Sequence, residues 1–305
     1  LKKHGRHYDI IHDNQCLSYG MLELQKRNFP FITTIHHPIT SDLSIALKAA
    51  KNWRERLLIR RWHSFLIMQR QVARQLHHVV TVSERSRQDI AVAFDMQPAG
   101  ISVVLNGIDT EEFRPLPNTV KNPNRVMAAV SSDQPLKGMR YLLEGVAKVL
   151  PKYPDLELLL VGQPKEGGES SALIKDLGLS KHIRCVSGIS TEDLVGFYNE
   201  AAVVIVPSVY EGFGLPAGEA MACGTAVIST DGGALPEVVG DAAIQVPVRD
   251  SSAIAEALDA LLASPAKREQ LAAAGRQRIE ELFCWRRAAQ QMTNYYWQVL
   301  QRENS

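Results

Sequence analysis

The segment VVIVPSVYEGFGLP at residues 203–216 combines an apolar run, a short loop and a proline that suits the first turn of a helix. A continuous apolar run such as Val203–Val206 is typical of a parallel strand that is buried on both faces. Gly212 and Gly214 allow the backbone to approach a ligand closely. Because the first N–H groups of a helix lack partners within it, they favour anions, phosphate above all. The segment therefore predicts an anion-binding helix start at the carboxyl edge of a parallel sheet.

Short apolar runs alternate with helical patterns along most of the chain, as expected for βα units around parallel sheets. We predict strands at Tyr8–His12, Phe31–Ile35, Val79–Val82, Ile101–Leu105, Val126–Val130, Leu156–Val161, Ile183–Val186, Val203–Val206, Ala226–Ser229 and Ala243–Val246. From Ser251 onward the pattern predicts three helices without strands. Two doubly wound α/β domains are the simplest architecture, and ligands then bind outside the carboxyl ends of the strands.

The polar, proline-bearing stretch Pro115–Arg125 separates four predicted strands from the other six. We place a first domain at 1–114, a second domain at 115–283, and a closing helix at 284–305 that packs back towards the first domain. A length of 305 residues is consistent with about two domains.

Composition narrows the class of protein without indicating a partner. The formal net charge is +1 and hydrophobic residues make up 45% of the chain, which is ordinary for a globular protein. The four cysteines are far apart and form no C-x-x-C pair, so neither a zinc ribbon nor a disulfide framework is indicated. Apolar runs are much shorter than the roughly 20 residues that span a bilayer. We expect a cytoplasmic protein, with the inner face of the membrane as an alternative location.

Two glutamates flank the predicted helix start, Glu211 in the loop and Glu219 inside the helix. Carboxylates would repel a phosphate unless they were aimed at neutral partners, and sugar hydroxyls are suitable donors to them. The pair therefore indicates a phosphorylated sugar. On the residues alone an alternative stays open, in which Glu219 complements the helix dipole and Glu211 is a solvated charge.

The run EGFGLPAGEAMACGTAVIS at residues 211–229 resembles the signature of retaining glycosyltransferase family 4, which has the GT-B fold. Further matches follow in the family's order: NGID at 106–109 with Phe113 and Pro115, Lys137-Gly138, LVG at 160–162, VSG at 186–188 and GGALPE at 232–237. The resemblance implies two facing Rossmann-like domains. It also implies that the first domain is truncated and lacks its first βα units, because only 1–7 precede the first predicted strand.

The resemblance implies transfer of a sugar from a nucleoside-diphosphate sugar to a hydroxyl acceptor with retention of configuration. Glu219 would accept hydrogen bonds from the ribose, and Glu211 would contact the donor sugar. The backbone amides of Phe213, Gly214 and Leu215 would approach the sugar hydroxyls.

Lys137 matches the family's diphosphate-binding lysine, so the reaction would need neither a metal nor another cofactor. The family commonly has an arginine about five residues earlier, where this chain has Ser132, so a second cationic phosphate contact is not indicated. Main-chain groups near Gly188 and Ile189 would face the nucleobase. Two alternatives stay open: Lys137 as a solvated lysine at a helix start, and Gly188 as a simple strand-to-helix turn.

His36, which follows a predicted strand, matches the family's active-site histidine near the anomeric carbon of the donor sugar. His37 and His12 compete for that role, since each also lies at or near a strand end. No pair of ligands at helical spacing and no carboxylate cluster supports a metal site around these histidines.

The stretch Leu47–His78 predicts a long helical region rich in arginine, with Trp53, Trp62 and Phe65 interspersed. Two interpretations stay open: a solvated amphipathic helix with its tryptophans in the core, or a face that lies on an anionic membrane surface. No recognised motif indicates nucleic acid as a partner.

Two other functions remain as alternatives. A catalytically silent nucleotide-sugar-binding module would keep the donor site but not the transfer. A dinucleotide-dependent oxidoreductase is disfavoured, because the first βα turns lack G-x-G-x-x-G.

Overall fold

The computed structural model describes residues 8–130 and 134–303. It divides into two compact units, which we describe separately. Unit 1 contains the residues up to Gly107 together with those from Arg286 onward, and unit 2 contains Ile108–Trp285.

Unit 1 is built on a parallel sheet of four strands in the order β1-β2-β3-β4. The strands are β1 (Ile11–Asn14), β2 (Phe31–Thr34), β3 (Val79–Thr81) and β4 (Ile101–Val103). The helices are α1 (Tyr19–Lys26), α2 (Thr40–Ala49), α3 (Trp53–Trp62), α4 (Leu66–Ala73) and α5 (Glu84–Phe94).

Unit 2 contains a parallel sheet of six strands in the order β10-β9-β8-β5-β6-β7. The strands are β5 (Asn122–Ala129), β6 (Glu157–Val161), β7 (Ile183–Val186), β8 (Ala201–Val206), β9 (Ala226–Thr230) and β10 (Ile244–Val246). The helices are α6 (Met139–Val149), α7 (Glu169–Asp176), α8 (Thr191–Glu200), α9 (Leu215–Ala222), α10 (Leu235–Val239), α11 (Ser251–Leu262) and α12 (Pro265–Leu282).

The order of this second sheet reverses between β5 and β8. Strands β6 and β7 extend from one side of β5, whereas β8, β9 and β10 extend from the other side. The chain therefore continues from β5 and from β8 towards opposite sides of the sheet, and the crevice outside the carboxyl ends of the strands at such a switch point is where doubly wound sheets bind ligands.

The last helix, α13 (Trp285–Glu303), covers one face of the sheet in unit 1. Its Val299 is buried in one apolar cluster with Ile32 of β2, Val80 of β3 and Val104. A separate apolar cluster on this sheet includes Phe31, Val79 and Ile101 together with residues of α1, α4 and α5. Both faces of the short sheet are thus covered by helices, as parallel strands require.

The ten predicted strands are confirmed, since each predicted run overlaps an observed strand. The three helices after Ser251 are confirmed as well. The long helical region predicted at Leu47–His78 is largely confirmed, but it is divided among the end of α2, α3 and α4. The chain leaves the helical conformation at Ala50, whose backbone is extended, and α3 starts anew because the Asn52 side chain accepts a hydrogen bond from the backbone N–H of Glu55 (2.9 Å).

The division between the units falls after Gly107, earlier than the residue 114 that the proline-bearing stretch suggested. Hydrogen bonds from the main chain and from one side chain tie the following residues to unit 2. The N–H of Ile108 donates to the carbonyl of Phe283 (2.6 Å), and the guanidinium of Arg276 donates to the carbonyls of Thr110 and Phe113 (3.2 and 2.8 Å).

The start of α6 lies directly against the loop after β8. Gly138, which precedes α6, has a φ of 67°, and a Cβ added there would overlap the carbonyl oxygen of Pro207. A glycine is required here by both the left-handed backbone and the lack of space.

We predict that Gly138→Ala lowers the free energy of unfolding by about 3 kcal/mol or more, because left-handed strain adds to a clash with backbone. Gly178→Ala is the matched control: its φ is 68°, but nothing lies within 4 Å of an added Cβ. Gly178→Ala should lower the free energy of unfolding by only about 1–2 kcal/mol. Urea unfolding of both variants makes the comparison, and equal losses would contradict the close approach to Pro207.

Candidate active site

Three loops meet at the carboxyl edge of the six-stranded sheet, after β5, β8 and β9. The N–H of Val209 donates to the carbonyl of Leu136 (2.8 Å), and the N–H of Ala234 donates to the carbonyl of Glu211 (2.8 Å). A Cβ on Gly233 would overlap the carbonyl oxygen of Glu211. Backbone hydrogen bonds and close packing therefore fix the three loops relative to one another.

This arrangement brings Lys137 and Glu211 together. The ammonium Nζ of Lys137 donates to Oε1 of Glu211 (2.7 Å), and the hydroxyl of Ser208 donates to the same oxygen (2.7 Å). The side chains of Lys137 and Glu211 are 24% and 14% exposed. Neither side chain is therefore a freely solvated charge, which was the alternative that the sequence left open for both residues. Ser208 was not predicted as a site residue, and its hydroxyl is recognised only once the loop is folded.

The amino end of α9 lies in the loop that carries Glu211. Gly214 precedes the helix with a φ of 103°, and Pro216 occupies the first turn, as predicted. Phe213 is buried and packs edge-on against Phe283, with ring centroids 5.7 Å apart, whereas Leu215 is exposed. The contact between Phe213 and Phe283 therefore helps to hold the backbone at the start of α9 in place.

Glu219 lies further along α9 and contacts a residue that the sequence analysis missed. The hydroxyl of Tyr198 on α8 donates to Oε2 of Glu219 (2.9 Å). Burial raises the pKa of the Glu219 carboxyl, the hydrogen bond from Tyr198 opposes that rise, and the nearby Glu112 adds to it. A tyrosine within an apolar helical pattern signals a buried phenol that needs a partner, but the sequence does not show which partner.

Gly188 and Ile189 lie in the loop between β7 and α8. Gly188 has a φ of 66°, is exposed, and has open space where a Cβ would lie. Ser190, which follows Ile189, caps α8 by accepting a hydrogen bond from the N–H of Asp193 (3.1 Å). This geometry fits a strand-to-helix turn and also leaves the main chain accessible to a ligand.

In unit 1, His36 follows β2 at the carboxyl edge of the four-stranded sheet. Its ring Nε2 lies 2.6 Å from Oδ1 of Asn14, and its backbone N–H donates to Oε1 of Gln15 (2.7 Å). Burial lowers the pKa of His36, and the neighbouring His37 and His12 lower it further. The imidazole is therefore biased towards its neutral form, in which Nε2 donates to Asn14.

The two competing histidines have other contacts. His12 lies between Tyr296 of α13, whose hydroxyl is 2.7 Å from Nδ1, and Thr34 of β2, whose hydroxyl is 2.6 Å from Nε2. Burial lowers the pKa of His12 although Asp13 opposes this effect. His37 lies 3.4 Å from a carboxylate oxygen of Asp42. His12 thus connects the closing helix to the sheet, which is a structural role.

Within the described residues, no three His, Cys, Asp or Glu side chains are grouped so that they could hold a metal ion. Ser132, the position where the family commonly has an arginine, lies outside the described residues.

The tryptophans of the basic stretch are exposed, so the interpretation that placed them in the core is wrong. Trp53 is 69% exposed and Trp62 is 78% exposed. None of the α3 residues is buried, and the helix is separated from α2 by the extended backbone at Ala50. No helix in the part of the chain that the structure describes is long and apolar enough to cross a membrane.

Comparison with known proteins agrees with this geometry. The sequence profile of the family described as "Glycosyl transferases group 1" matches residues 110–278, and that of "Glycosyltransferase Family 4" matches residues 1–112. The first profile covers the whole Lys137, Glu211 and Glu219 region.

Curated relatives match over nearly the whole chain. A protein of Mycolicibacterium hassiacum named MMP alpha-(1->4)-mannosyltransferase is 41% identical over 298 residues, which are 97% of this chain and 72% of that protein. A D-inositol 3-phosphate glycosyltransferase of Corynebacterium urealyticum is 30% identical, again over 97% of this chain and 72% of the relative.

Solved structures give the same fold. A sucrose-phosphate synthase from Thermosynechococcus elongatus superimposes with a TM-score of 0.80 at 26% identity, over 99% of this chain and 76% of that one. An Anabaena protein solved with UDP and glucose superimposes with a TM-score of 0.77 at 19% identity, over 96% and 79%. The chain therefore belongs to glycosyltransferase family 4, the glycosyl transferases group 1, and has the GT-B fold.

Proposed function

We propose that this glycosyltransferase moves a sugar from a nucleoside-diphosphate sugar to a hydroxyl acceptor with retention of configuration at the anomeric carbon. The observation that carries the proposal is the Lys137–Glu211 ion pair of 2.7 Å at the crevice of the six-stranded sheet, beside the amino end of α9. A cation and helix amides suit a diphosphate, and a carboxylate suits a sugar hydroxyl.

In this reaction the bond between the anomeric carbon and the diphosphate oxygen breaks while the acceptor oxygen bonds to the same face of the sugar. The proton of the acceptor hydroxyl passes to the departing phosphate. Lys137 and the amides at the start of α9 stabilise the negative charge that grows on the leaving group. Glu211 orients the sugar through a hydroxyl, Glu219 binds the ribose, and His36 contributes a hydrogen bond near the anomeric carbon. No metal is required, because these groups supply the positive field.

We further propose mannose as the donor sugar. The support is the Mycolicibacterium hassiacum mannosyltransferase, which is 41% identical over 97% of this chain. Its name gives an α linkage, which is the product that retention yields from an α-linked donor. The acceptor is a hydroxyl compound whose class the described residues do not specify.

The direct test is calorimetric titration with UDP, GDP and ADP, followed by assays of transfer and hydrolysis with the mannose and glucose forms of the best nucleotide. Activity should persist in excess chelator, and proton NMR should show an α-configured product. Tight binding with neither transfer nor hydrolysis would favour the silent binding module. Activity that is lost in chelator and restored by magnesium would contradict the metal-free mechanism.

A peripheral contact of α3 with an anionic membrane is a second proposal, favoured by the exposed Trp53 and Trp62. Leu57 and Leu58 on the same helix are 59% and 66% exposed. Four arginines and one glutamate lie within Trp53–Trp62, so the helix is basic. Aromatic side chains with arginines suit the boundary between lipid headgroups and acyl chains.

We predict that Glu211→Ala lowers transfer by about 100-fold or more while the chain stays folded, because Glu211 lies in a loop and contacts the reacting sugar. Glu157→Ala is the matched control, since it removes a carboxylate that pairs with Arg125 (2.8 Å) near the opposite edge of the same sheet. That control should retain turnover. Turnover that is unchanged in Glu211→Ala would refute its assignment to the site.

We predict that Lys137→Ala raises the donor KM and lowers kcat together, because the ammonium contacts a charge that grows in the transition state. The control is Lys152→Ala, which breaks an exposed pair with Asp259 (2.6 Å) elsewhere in unit 2. Steady-state kinetics with varied donor separates the two constants. If Lys137→Ala changed solubility alone, the lysine would be a surface residue without a part in the reaction.

We predict that the chain cosediments with vesicles containing phosphatidylserine and that replacing both Trp53 and Trp62 by alanine weakens this binding about tenfold, through lost apolar contact. Trp297→Ala is the control, because Trp297 on α13 is also exposed, at 62%. Binding that vanishes near physiological salt and ignores the tryptophans would indicate charge attraction without insertion.

A further inference from the structure

Tyr198 is a fully buried phenol whose hydroxyl has a defined partner. Its relative exposure is 0%, and the hydroxyl donates to Oε2 of Glu219 at 2.9 Å. Burial and the neighbouring carboxylate raise the pKa of Tyr198 well above its usual value. The phenol therefore keeps its proton and donates this hydrogen bond to the carboxylate.

The tyrosine itself is held firmly at the end of α8. The hydroxyl of Thr225 donates to the backbone carbonyl of Tyr198 (2.7 Å). Asn199, the next residue, accepts from the N–H of Leu116 (2.8 Å) and donates to the carbonyl of Arg114 (2.9 Å). The ring of Phe113 packs edge-on against the Tyr198 ring, with centroids 6.2 Å apart. A donor fixed in this way can impose one orientation on the group it bonds.

Glu219 is partly buried, and its two carboxylate oxygens differ in their surroundings. Oε2 accepts the hydrogen bond from Tyr198. Among the hydrogen bonds between described residues, none reaches Oε1. The carboxylate thus has one oxygen engaged by the protein and one left for another donor.

From this geometry we infer that Tyr198 is a positioning residue for donor binding: by holding Oε2 of Glu219, it presents Oε1 to the hydroxyls of the nucleotide ribose. The inference rests on the proposed function, in which Glu219 binds the ribose. It adds a specificity role, because an oriented acceptor favours a ribonucleotide over its 2′-deoxy form, which leaves the acceptor unpaired.

The groups around Glu219 determine in which direction the pKa of its carboxyl moves when the Tyr198 hydroxyl is removed. Burial and Glu112 raise its pKa, and the Tyr198 hydrogen bond lowers it. Cys223, at the end of the same helix, is itself buried, and Arg276 on α12 donates to the carbonyl of Ala222. Glu237 is the charged residue of α10, and strands β8 and β9 carry none. Removing the phenol hydroxyl therefore leaves burial and Glu112 unopposed, so the carboxylate protonates at higher pH.

The experiment compares wild-type protein with Tyr198→Phe in the full chain, by calorimetric titration from pH 5 to 8. The probes are whichever of UDP, GDP and ADP binds best and its 2′-deoxy counterpart. We expect ribonucleotide affinity to fall about three- to tenfold and 2′-deoxy affinity to fall less. The acid limb of ribonucleotide binding should move to higher pH. Tyr153→Phe, which removes a hydroxyl that bonds Asp259 (2.7 Å), is the matched control and should change neither property.

Two further variants keep the inference open to refutation. On a Glu219→Gln background, Tyr198→Phe should no longer alter the pH dependence. Glu219→Asp keeps the charge but draws the carboxylate back by one methylene from the Tyr198 hydroxyl, so we expect it to lose the ribose preference even if Tyr198→Phe does not fold. Full ribose preference in Glu219→Asp would overturn the inference.

The outcomes separate this inference from the proposed function. If wild-type protein binds none of the three nucleotides, the proposed function fails. If Glu219→Gln weakens binding while Tyr198→Phe lowers only the melting temperature, leaving ribose preference and the acid limb unchanged, then Tyr198 is merely structural and this inference alone is overturned.

Discussion

The close approach of the loops after β5, β8 and β9 is the constraint on which the candidate site depends. The carbonyl of Leu136 and the N–H of Val209 join the first two loops, and the carbonyl of Glu211 and the N–H of Ala234 join the second and third. Such contacts need backbone to meet backbone, so glycine is required at Gly138, where any Cβ would overlap the neighbouring loop. Because the loops are joined backbone to backbone, the main chain that carries these side chains is held in one position.

Lys137 and Glu211 carry opposite charges that offset each other at the candidate site. Taking two charges partly out of water is costly, and their mutual attraction and the Ser208 hydrogen bond offset that cost. Under the proposed function, a diphosphate would compete with Glu211 for the ammonium of Lys137. Glu211 would then be released to accept a hydrogen bond from the sugar. The pair therefore links occupation of the phosphate position to the availability of the carboxylate that orients the sugar.

Much of the fold was readable from the sequence, because buried parallel strands are continuous apolar runs and the strand-end rule selects the loops that follow them. The same rule, with the family resemblance, indicated Lys137 and Glu211, and the structure brings those two side chains together. Tyr198 was missed because a buried tyrosine in a helix looks like core, and its partner lies 21 residues later on another helix. The exposure of Trp53 was left undecided, since a helical pattern with aromatics does not reveal whether anything packs against it.

The two glutamates of the candidate site are held in different ways, and under the proposed function this difference would affect donor binding. Glu219 accepts from a phenol that is itself fixed by Thr225 and by the packing of Phe113. Its carboxylate is therefore ordered in advance, and under the proposed function this would lower the entropy cost of binding a ribose. Glu211 instead bonds a flexible ammonium, so its partner can be exchanged. The nucleoside end of the proposed donor would thus meet a preformed surface, whereas the diphosphate and sugar end would meet groups that rearrange as the donor enters.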